Sequence, residues 1–225
     1  MKRKSLAGIV IAGIGLLLGG GTVTTEKIIS SKIASRIEQQ LPNALGISAS
    51  IPFFDLPDSI NSDSVKAVRI NIDEYVLKGT GTKSSLALSA KNISKSKPTQ
   101  IGSLDITITI PVSKLLEESG FNDVEIVDSA LQISVGAGGL GKALLVPMYA
   151  NNQIYFQLKS VSVMGSPIPA SSLPADIQDQ IKSRSVKDLA VPQGLKVKSV
   201  SIGPNGLSVN FQGTNIRLEN LALSL

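Results

Sequence analysis

The stretch Leu-Asp-Ile-Thr-Ile-Thr-Ile at residues 104–110 decides the fold class, because aliphatic and polar residues alternate along it without a break. A period of two puts every aliphatic side chain on one face of a β-strand. The same alternation recurs at residues 68–73, 86–90, 131–135, 154–158 and 207–211. Antiparallel sheets with one covered face have this pattern. The sequence therefore predicts a large antiparallel sheet of roughly seven to nine strands.

Three local signals predict how these strands connect. Asn205-Gly206 stands between two alternating runs, which is a strong hairpin signal. The glycines at 136–139 interrupt another alternating run and predict a second hairpin turn. After Leu158 the apolar positions shift by one residue to Val161 and Val163, which predicts a bulge.

One helix is predicted before the strands, over residues 25–41. Its apolar residues fall on one stripe at helical spacing: Ile28, Ile29, Ile33, Ile37 and Leu41. Pro42 should end it, since the residue before a proline is pushed out of helical geometry. A sheet with an aliphatic face must bury that face. We therefore predict an α+β fold, in which a large curved antiparallel sheet wraps the N-terminal amphipathic helix.

Residues 1–23 have the composition of a targeting segment. Lys2, Arg3 and Lys4 precede an uncharged apolar run at residues 6–23, which is typical of a signal peptide or an N-terminal membrane anchor. The run is marginal for a span of about 20 residues, and no Ala-x-Ala cleavage site follows it. We predict an uncleaved signal anchor, with a cleaved signal peptide as the alternative. Residues 24–225 would then be an extracytoplasmic domain, anchored to the inner (or thylakoid) membrane or secreted to the periplasm.

Composition excludes several classes of protein. The net charge is +5, but the leader holds three basic residues and no acid, which leaves +2 for residues 24–225. That small excess is no footprint for nucleic acid. The chain has no cysteine and no histidine, so it lacks disulfides and the usual zinc ligands. We expect no metal and no cofactor.

The residues also give little support to catalysis. Without histidine, a Ser-His-Asp triad is impossible. Ser94 and Lys97 have the spacing of a Ser/Lys nucleophile pair, but they lie in a Lys/Ser-rich stretch where such matches arise by chance. Neighbouring carboxylates at 73–74 and 117–118 point apart on a strand or a helix. The chain is therefore predicted not to be an enzyme.

Two segments together resemble a known family. An Ile-Pro-Phe-Phe loop at 51–54 follows the predicted helix, and Val-Pro-Gln-Gly-Leu-Lys-Val-Lys-Ser-Val at 191–200 precedes Pro-Asn-Gly-Leu-Ser-Val at 204–209. This order resembles the LmeA-like family of envelope phospholipid-binding proteins of actinobacteria and cyanobacteria, over roughly residues 25–220. The resemblance implies a phospholipid held in an apolar cavity under a curved sheet, similar to tubular lipid-binding folds, and no catalytic residues.

If the resemblance holds, the aliphatic strand faces bind the acyl chains of a phospholipid, the membrane is a second partner, and Phe53 and Phe54 lie at the cavity mouth or touch the bilayer. The predicted lining residues, besides these two, are Ile70, Ile72, Leu86, Leu88, Leu104, Ile106, Ile108, Ile110, Leu131, Ile133, Ile154, Phe156, Leu158, Leu207, Val209 and Phe211. Headgroup donors would be Lys91, Lys95 and Lys97, or alternatively Lys182, Arg184 and Lys187.

Periodicity does not separate a hollow sheet from a solid core. The alternative function is therefore a membrane-anchored structural or assembly module with a solid core that binds a protein partner.

Overall fold

The alternating segments form β-strands in the computed structural model. The structure describes residues 26–52, 62–135 and 141–217, except 42, 77–82, 97, 113–123, 176–177, 180–182, 184 and 190. Helix α1 spans Glu26–Gln40, and a 3₁₀ turn spans Ala170–Ser172. The strands are β1 (Ala44–Ser50), β2 (Ser64–Val76), β3 (Lys83–Ser94), β4 (Gln100–Ile110), β5 (Val124–Val127), β6 (Ala130–Val135), β7 (Gly141–Ala150), β8 (Gln153–Val163), β9 (Ser166–Pro169), β10 (Lys187–Asp188), β11 (Lys196–Gly203) and β12 (Gly206–Arg217).

These strands make two six-stranded antiparallel sheets. The first has the order β1-β2-β3-β4-β12-β11, and the second has the order β10-β8-β7-β6-β5 with β9 also paired to β8. The predicted single sheet is therefore wrong. Alternation shows that one face of each strand is covered, but two sheets satisfy that condition as well as one.

Burial follows the alternation along most of the long strands. In β4, Leu104 and Ile106 are fully buried while Asp105 and Thr107 are only half-buried. Across the first sheet, Ile70 of β2 lies opposite Leu88 of β3, and both side chains are buried. Such cross-strand aliphatic pairs are the unit that stabilises a sheet.

The predicted connections are confirmed where the structure describes them. β11 and β12 are neighbours joined by a turn at Pro204 and Asn205. The register of β7 and β8 shifts between Leu144 and Leu145, which face Ser160 and Leu158, so Lys159 is the extra residue of a bulge. β6 and β7 pair as a hairpin whose connecting residues 136–140 lie outside the described residues.

Helix α1 begins and ends close to the predicted bounds, and its apolar stripe is confirmed at Ile33 and Ile37, which are both fully buried. The helix contacts β1, an edge strand of the first sheet. On other sides of the helix, Lys32, Arg36 and Glu38 are exposed to solvent. A helix wrapped by a sheet would be buried on all sides. The predicted α+β fold with a sheet around the helix is therefore wrong, and the described part of the chain is mostly β-strand.

The chain divides into two compact units. Unit 1 consists of Met1–Ile108, Ala190–Lys198 and Asn210–Leu225, and unit 2 consists of Thr109–Leu189 and Ser199–Val209. Strands β4, β11 and β12 each contribute residues to both units.

The predicted transmembrane signal anchor is not supported by any helix of the described residues. Within the described ranges, no helix is both long and apolar enough to cross a membrane. Residues 1–23, on which that prediction fell, lie outside the described residues.

Candidate functional site

The predicted acyl-chain residues belong to the apolar faces of both sheets. Phe53 and Phe54 lie outside the described residues, and Ile110 is half-buried. Every other residue of the set is at most 7% exposed. Residues from β2, β3, β4 and β12 belong to the first sheet, and those from β6 and β8 belong to the second. The structure thus divides the predicted lining set between two sheets.

Packing around these side chains is close. Ile70, Leu104 and Ile106 are 0% exposed. An internal void large enough for water would count as accessible surface on the side chains that line it. Its absence means that these residues contact protein atoms on every side, at the density normal for a protein interior. An acyl chain has no preformed space against them.

The structure describes only some of the predicted headgroup residues. Lys91 is exposed on β3, Lys95 is half-buried, and Lys97 lies outside the described residues. The alternative residues Lys182 and Arg184 also lie outside them, and Lys187 is exposed on β10.

The hydroxyl of Ser94, whose spacing to Lys97 was interpreted as a chance match to a nucleophile pair, fixes a local turn. It accepts a hydrogen bond from the backbone N–H of Gln100 at 2.8 Å and donates to the carbonyl oxygen of Ser96 at 3.3 Å. Side-chain bonds of this kind fix turns. Nothing in these contacts activates the hydroxyl as a nucleophile.

A different site appears where β11 and β12 meet the loop before β11. Two open clefts adjoin there and share Gly194 and Thr214. One has a volume of about 340 Å³ and is bordered by Gln193, Gly194 and residues 214–217. The other has a volume of about 480 Å³ and is bordered by Gly194, residues 196–198 and residues 212–214. We call the two together the β11–β12 cleft.

Two glycines shape the floor of this cleft. Gly194 adopts a φ of +85°, which glycine tolerates, in a turn closed by the Leu195 N–H bond to the Pro192 carbonyl at 3.0 Å. At Gly213, an added Cβ would lie 2.5 Å from the Gly194 carbonyl oxygen and 2.7 Å from Leu195 Cδ2. Only glycine lets the two backbones approach this closely. The buried side chains of Leu195 and Ile216 lie next to this crossing.

The charged side chains among the described residues that line the cleft are all basic. Lys196 and Lys198 share one face of β11, since they are two residues apart on a strand, and Arg217 ends β12. All three side chains are exposed, and no carboxylate is among the described residues that line the two clefts. Gln193, Gln212, Thr214 and Asn215 add amide and hydroxyl groups. Such a set favours a phosphate or another anion.

Sequence reasoning missed this cleft, although Lys196 and Lys198 stand inside the segment that resembles the phospholipid-binding family. The signal was the Lys-Val-Lys alternation that begins two residues after Gly194. A structural explanation also exists, because β11 is an edge strand and edge lysines oppose edge-to-edge aggregation.

The described residues offer few candidate groups for acid–base catalysis or metal binding. Burial raises the pKa of the Tyr75 hydroxyl, which keeps this phenol protonated at neutral pH. Over the same ranges, no three His, Cys, Asp or Glu side chains lie close enough to hold a metal ion.

Comparison with known proteins yields no relative: no family model, no curated protein and no solved structure matches this chain.

Proposed function

We propose that this protein is exported and binds an anionic phospholipid without chemical turnover, for lipid handling in the cell envelope. The observation that carries the proposal is the β11–β12 cleft, where the three exposed cations Lys196, Lys198 and Arg217 lie beside buried aliphatic side chains of unit 1. A phospholipid needs this pairing of cationic donors with apolar surface.

The headgroup end of the proposal rests on the three cations. Arg217 offers a planar fork of N–H donors, and Lys196 and Lys198 offer mobile ammonium groups. Hydrogen bonds between such groups and phosphate are roughly twice as strong as neutral ones. The phosphate is therefore the part of the lipid that the cleft recognises.

The acyl end rests on the aliphatic core beside the cleft. Ile216 borders the cleft and is 3% exposed, so a chain that enters there must displace apolar contacts rather than fill a void. Among the described strands, β11 has a sheet neighbour on one side only, β12. Edge elements of this kind open at a lower free-energy cost than central strands. Binding would thus move β11 and exchange protein contacts for lipid contacts.

The leader supports the proposed location. Lys2, Arg3 and Lys4 before an apolar run are typical of export, and envelope lipids are met outside the cytoplasm. The resemblance of residues 191–200 and 204–209 to envelope lipid-binding proteins points the same way.

The test is native mass spectrometry of the full chain purified without detergent, followed by lipid extraction. We expect a stoichiometric phospholipid mass. The double variant Lys196→Glu, Lys198→Glu should retain at least about tenfold less lipid, because a charge-assisted hydrogen bond contributes about 1.5–3 kcal/mol. Glutamates keep an edge strand charged, so the variant should stay as resistant to aggregation as the parent chain.

The matched control is Arg69→Glu with Lys159→Glu, which makes the same charge change at exposed positions of β2 and β8. The control should retain its lipid. Equal loss in both double variants would show that general surface charge, and not the cleft, holds the lipid.

A second function is favoured by the packing of the core. Side chains such as Ile70 and Leu104 are 0% exposed, as expected for a solid core. Strand β11 lies at the edge of its described sheet, where a partner strand can add. A protein-binding module of this kind would purify without lipid. A clean lipid-free mass, unchanged after incubation with phospholipid vesicles, would support it over lipid binding.

A further inference from the structure

The turn between β8 and β9 carries an apolar side chain that is largely exposed to solvent. Met164 is 85% exposed, and Val163 before it is 46% exposed. Val163 pairs with Ser166, so Met164 and Gly165 form a two-residue hairpin turn. Their φ angles of +51° and +85° identify a type I′ turn.

Methionine is a poor residue for this turn. Among the other described non-glycine residues with positive φ, every one is a short polar residue: Asn92, Asp128, Ser129, Asn151, Asn152 and Asn215. Asparagine and aspartate tolerate this conformation, while a long apolar side chain rarely adopts it. Asparagine before glycine is the preferred pair in a type I′ turn. Met164 therefore sits where local structure favours a polar residue, which is the kind of conflict that marks a functional position.

The strand ends beside the turn extend the buried face of the second sheet into solvent. The pairing aligns Ile133, Ala143 and Val161 in one row, and Ile133 and Ala143 are buried. Two residues further along the same faces come Val135 and Val163. The apolar face thus continues beyond the core and ends at the exposed turn.

The charge among the described residues at this end of the sheet is positive. Within the described strand positions 133–135, 141–143, 161–163 and 166–168, Lys142 is the charged residue, and its Nζ donates to Ser134 Oγ at 3.1 Å. Residues 160–175 contain no charge at all. The described acids that pair in the register of this sheet, Glu125 and Asp188, lie opposite Gln132 and Gln153, further from the turn.

We propose that the β8–β9 turn, Val163–Ser166, inserts into the interface of an anionic lipid bilayer. An exposed methionine and valine gain apolar surroundings there, while the turn backbone stays at the level of the headgroups. Lys142 attracts anionic headgroups, and no neighbouring described acid in these rows repels them. This inference goes beyond the proposed function, because the turn belongs to unit 2 and needs no lipid in the β11–β12 cleft.

Insertion can be read locally, because the chain contains no tryptophan. Val163→Trp introduces a single indole next to the turn, and Met148→Trp introduces one at another exposed position of the same sheet. With vesicles of phosphatidylcholine and phosphatidylglycerol, the indole at position 163 should shift its emission to the blue and be quenched by brominated acyl chains. The indole at position 148 should do neither. The full chain is used throughout, so the leader is common to both variants.

Met164→Asn removes the apolar side chain and leaves a favoured Asn-Gly turn, so the fold should be kept or slightly stabilised. Burying a methionine contributes about 1.5–3 kcal/mol, so the vesicle partition coefficient should fall about tenfold. Met148→Asn is the matched control and should leave partition unchanged. Lys142→Gln should weaken binding about fivefold on anionic vesicles only.

Each outcome decides the matter. An unshifted emission of the indole at position 163, or equal partition of Met164→Asn and the parent chain, overturns the proposal. Loss of self-association by Met164→Asn without a change in vesicle binding would overturn it in favour of a contact between copies of the chain. Failure of the proposed cleft is distinguishable, because it removes co-purified lipid and leaves the emission shift intact.

Discussion

At the scale of single residues, glycine controls where backbones meet. Gly206 opens β12 with a φ of +132°, and a Cβ added there would overlap the Ile110 carbonyl oxygen. Gly203 ends β11, and a Cβ added there would have open space around it. The two glycines flank the same hairpin, but only Gly206 meets a structural requirement.

We predict that Gly206→Ala lowers the free energy of unfolding by about 3 kcal/mol or more, since it adds both backbone strain and overlap. Gly203→Ala should change it by less than about 1 kcal/mol. Urea unfolding followed by circular dichroism measures both. Equal effects of the two substitutions would contradict this account of the hairpin.

At the scale of elements, α1 is attached by a narrow stripe. Ile33 and Ile37 are fully buried, and Leu41, just after the helix, is 4% exposed. The Leu41 N–H donates to the Ile37 carbonyl at 2.8 Å, and the Ala44 N–H donates to the Leu41 carbonyl at 3.0 Å. The chain thus turns directly from α1 into β1, which fixes the helix beside that strand.

Ile37→Ala should destabilise the protein by about 2–5 kcal/mol, because it removes a fully buried side chain and leaves a cavity. Glu38→Ala, at the next and exposed position of α1, should have an effect within about 0.5 kcal/mol. Thermal unfolding of both variants provides the comparison. A small effect of Ile37→Ala would mean that α1 contributes little to the stability of the sheet beside it.

At the scale of the whole molecule, β12 joins parts of the chain that are far apart in sequence. Thr109 Oγ1 and Ser208 Oγ share a hydrogen bond at 2.9 Å, and Asn210 Nδ2 donates to Thr107 Oγ1 at 2.9 Å. Leu207, Val209 and Phe211 are buried on the opposite face of the strand. The first sheet therefore depends on residues from both ends of the described chain.

Deleting residues 196–225 should abolish cooperative unfolding. Strand β4 would lose β12, one of its two sheet neighbours, and the core would lose the buried side chains of β12. Calorimetry of the shortened chain beside the full chain tests this. A sharp transition that survives the deletion would show that the remaining strands fold without β12.

Period-two alternation was enough to predict the strands, since the faces of a strand follow from backbone geometry alone. Spacing also predicted α1 to within one residue of each end and the bulge after Leu158. It did not predict how the strands divide into sheets. Residues 68–73 and 131–135 alternate alike, yet they belong to different sheets. Nor did it find the β11–β12 cleft, because Gly194 and Thr214 are separated by most of two strands and meet only through their pairing.

The sequence by itself determined that this protein is rich in strands with aliphatic faces, that it lacks the side chains for thiol or imidazole chemistry, and that its first residues resemble an export signal. These properties depend on residue type and local spacing. Tertiary structure decided that two sheets form, that α1 lies beside an edge strand, and that Lys196, Lys198 and Arg217 surround one cleft while Met164 stands exposed. Those outcomes depend on which distant segments pair, and pairing is set by the packing of the whole chain.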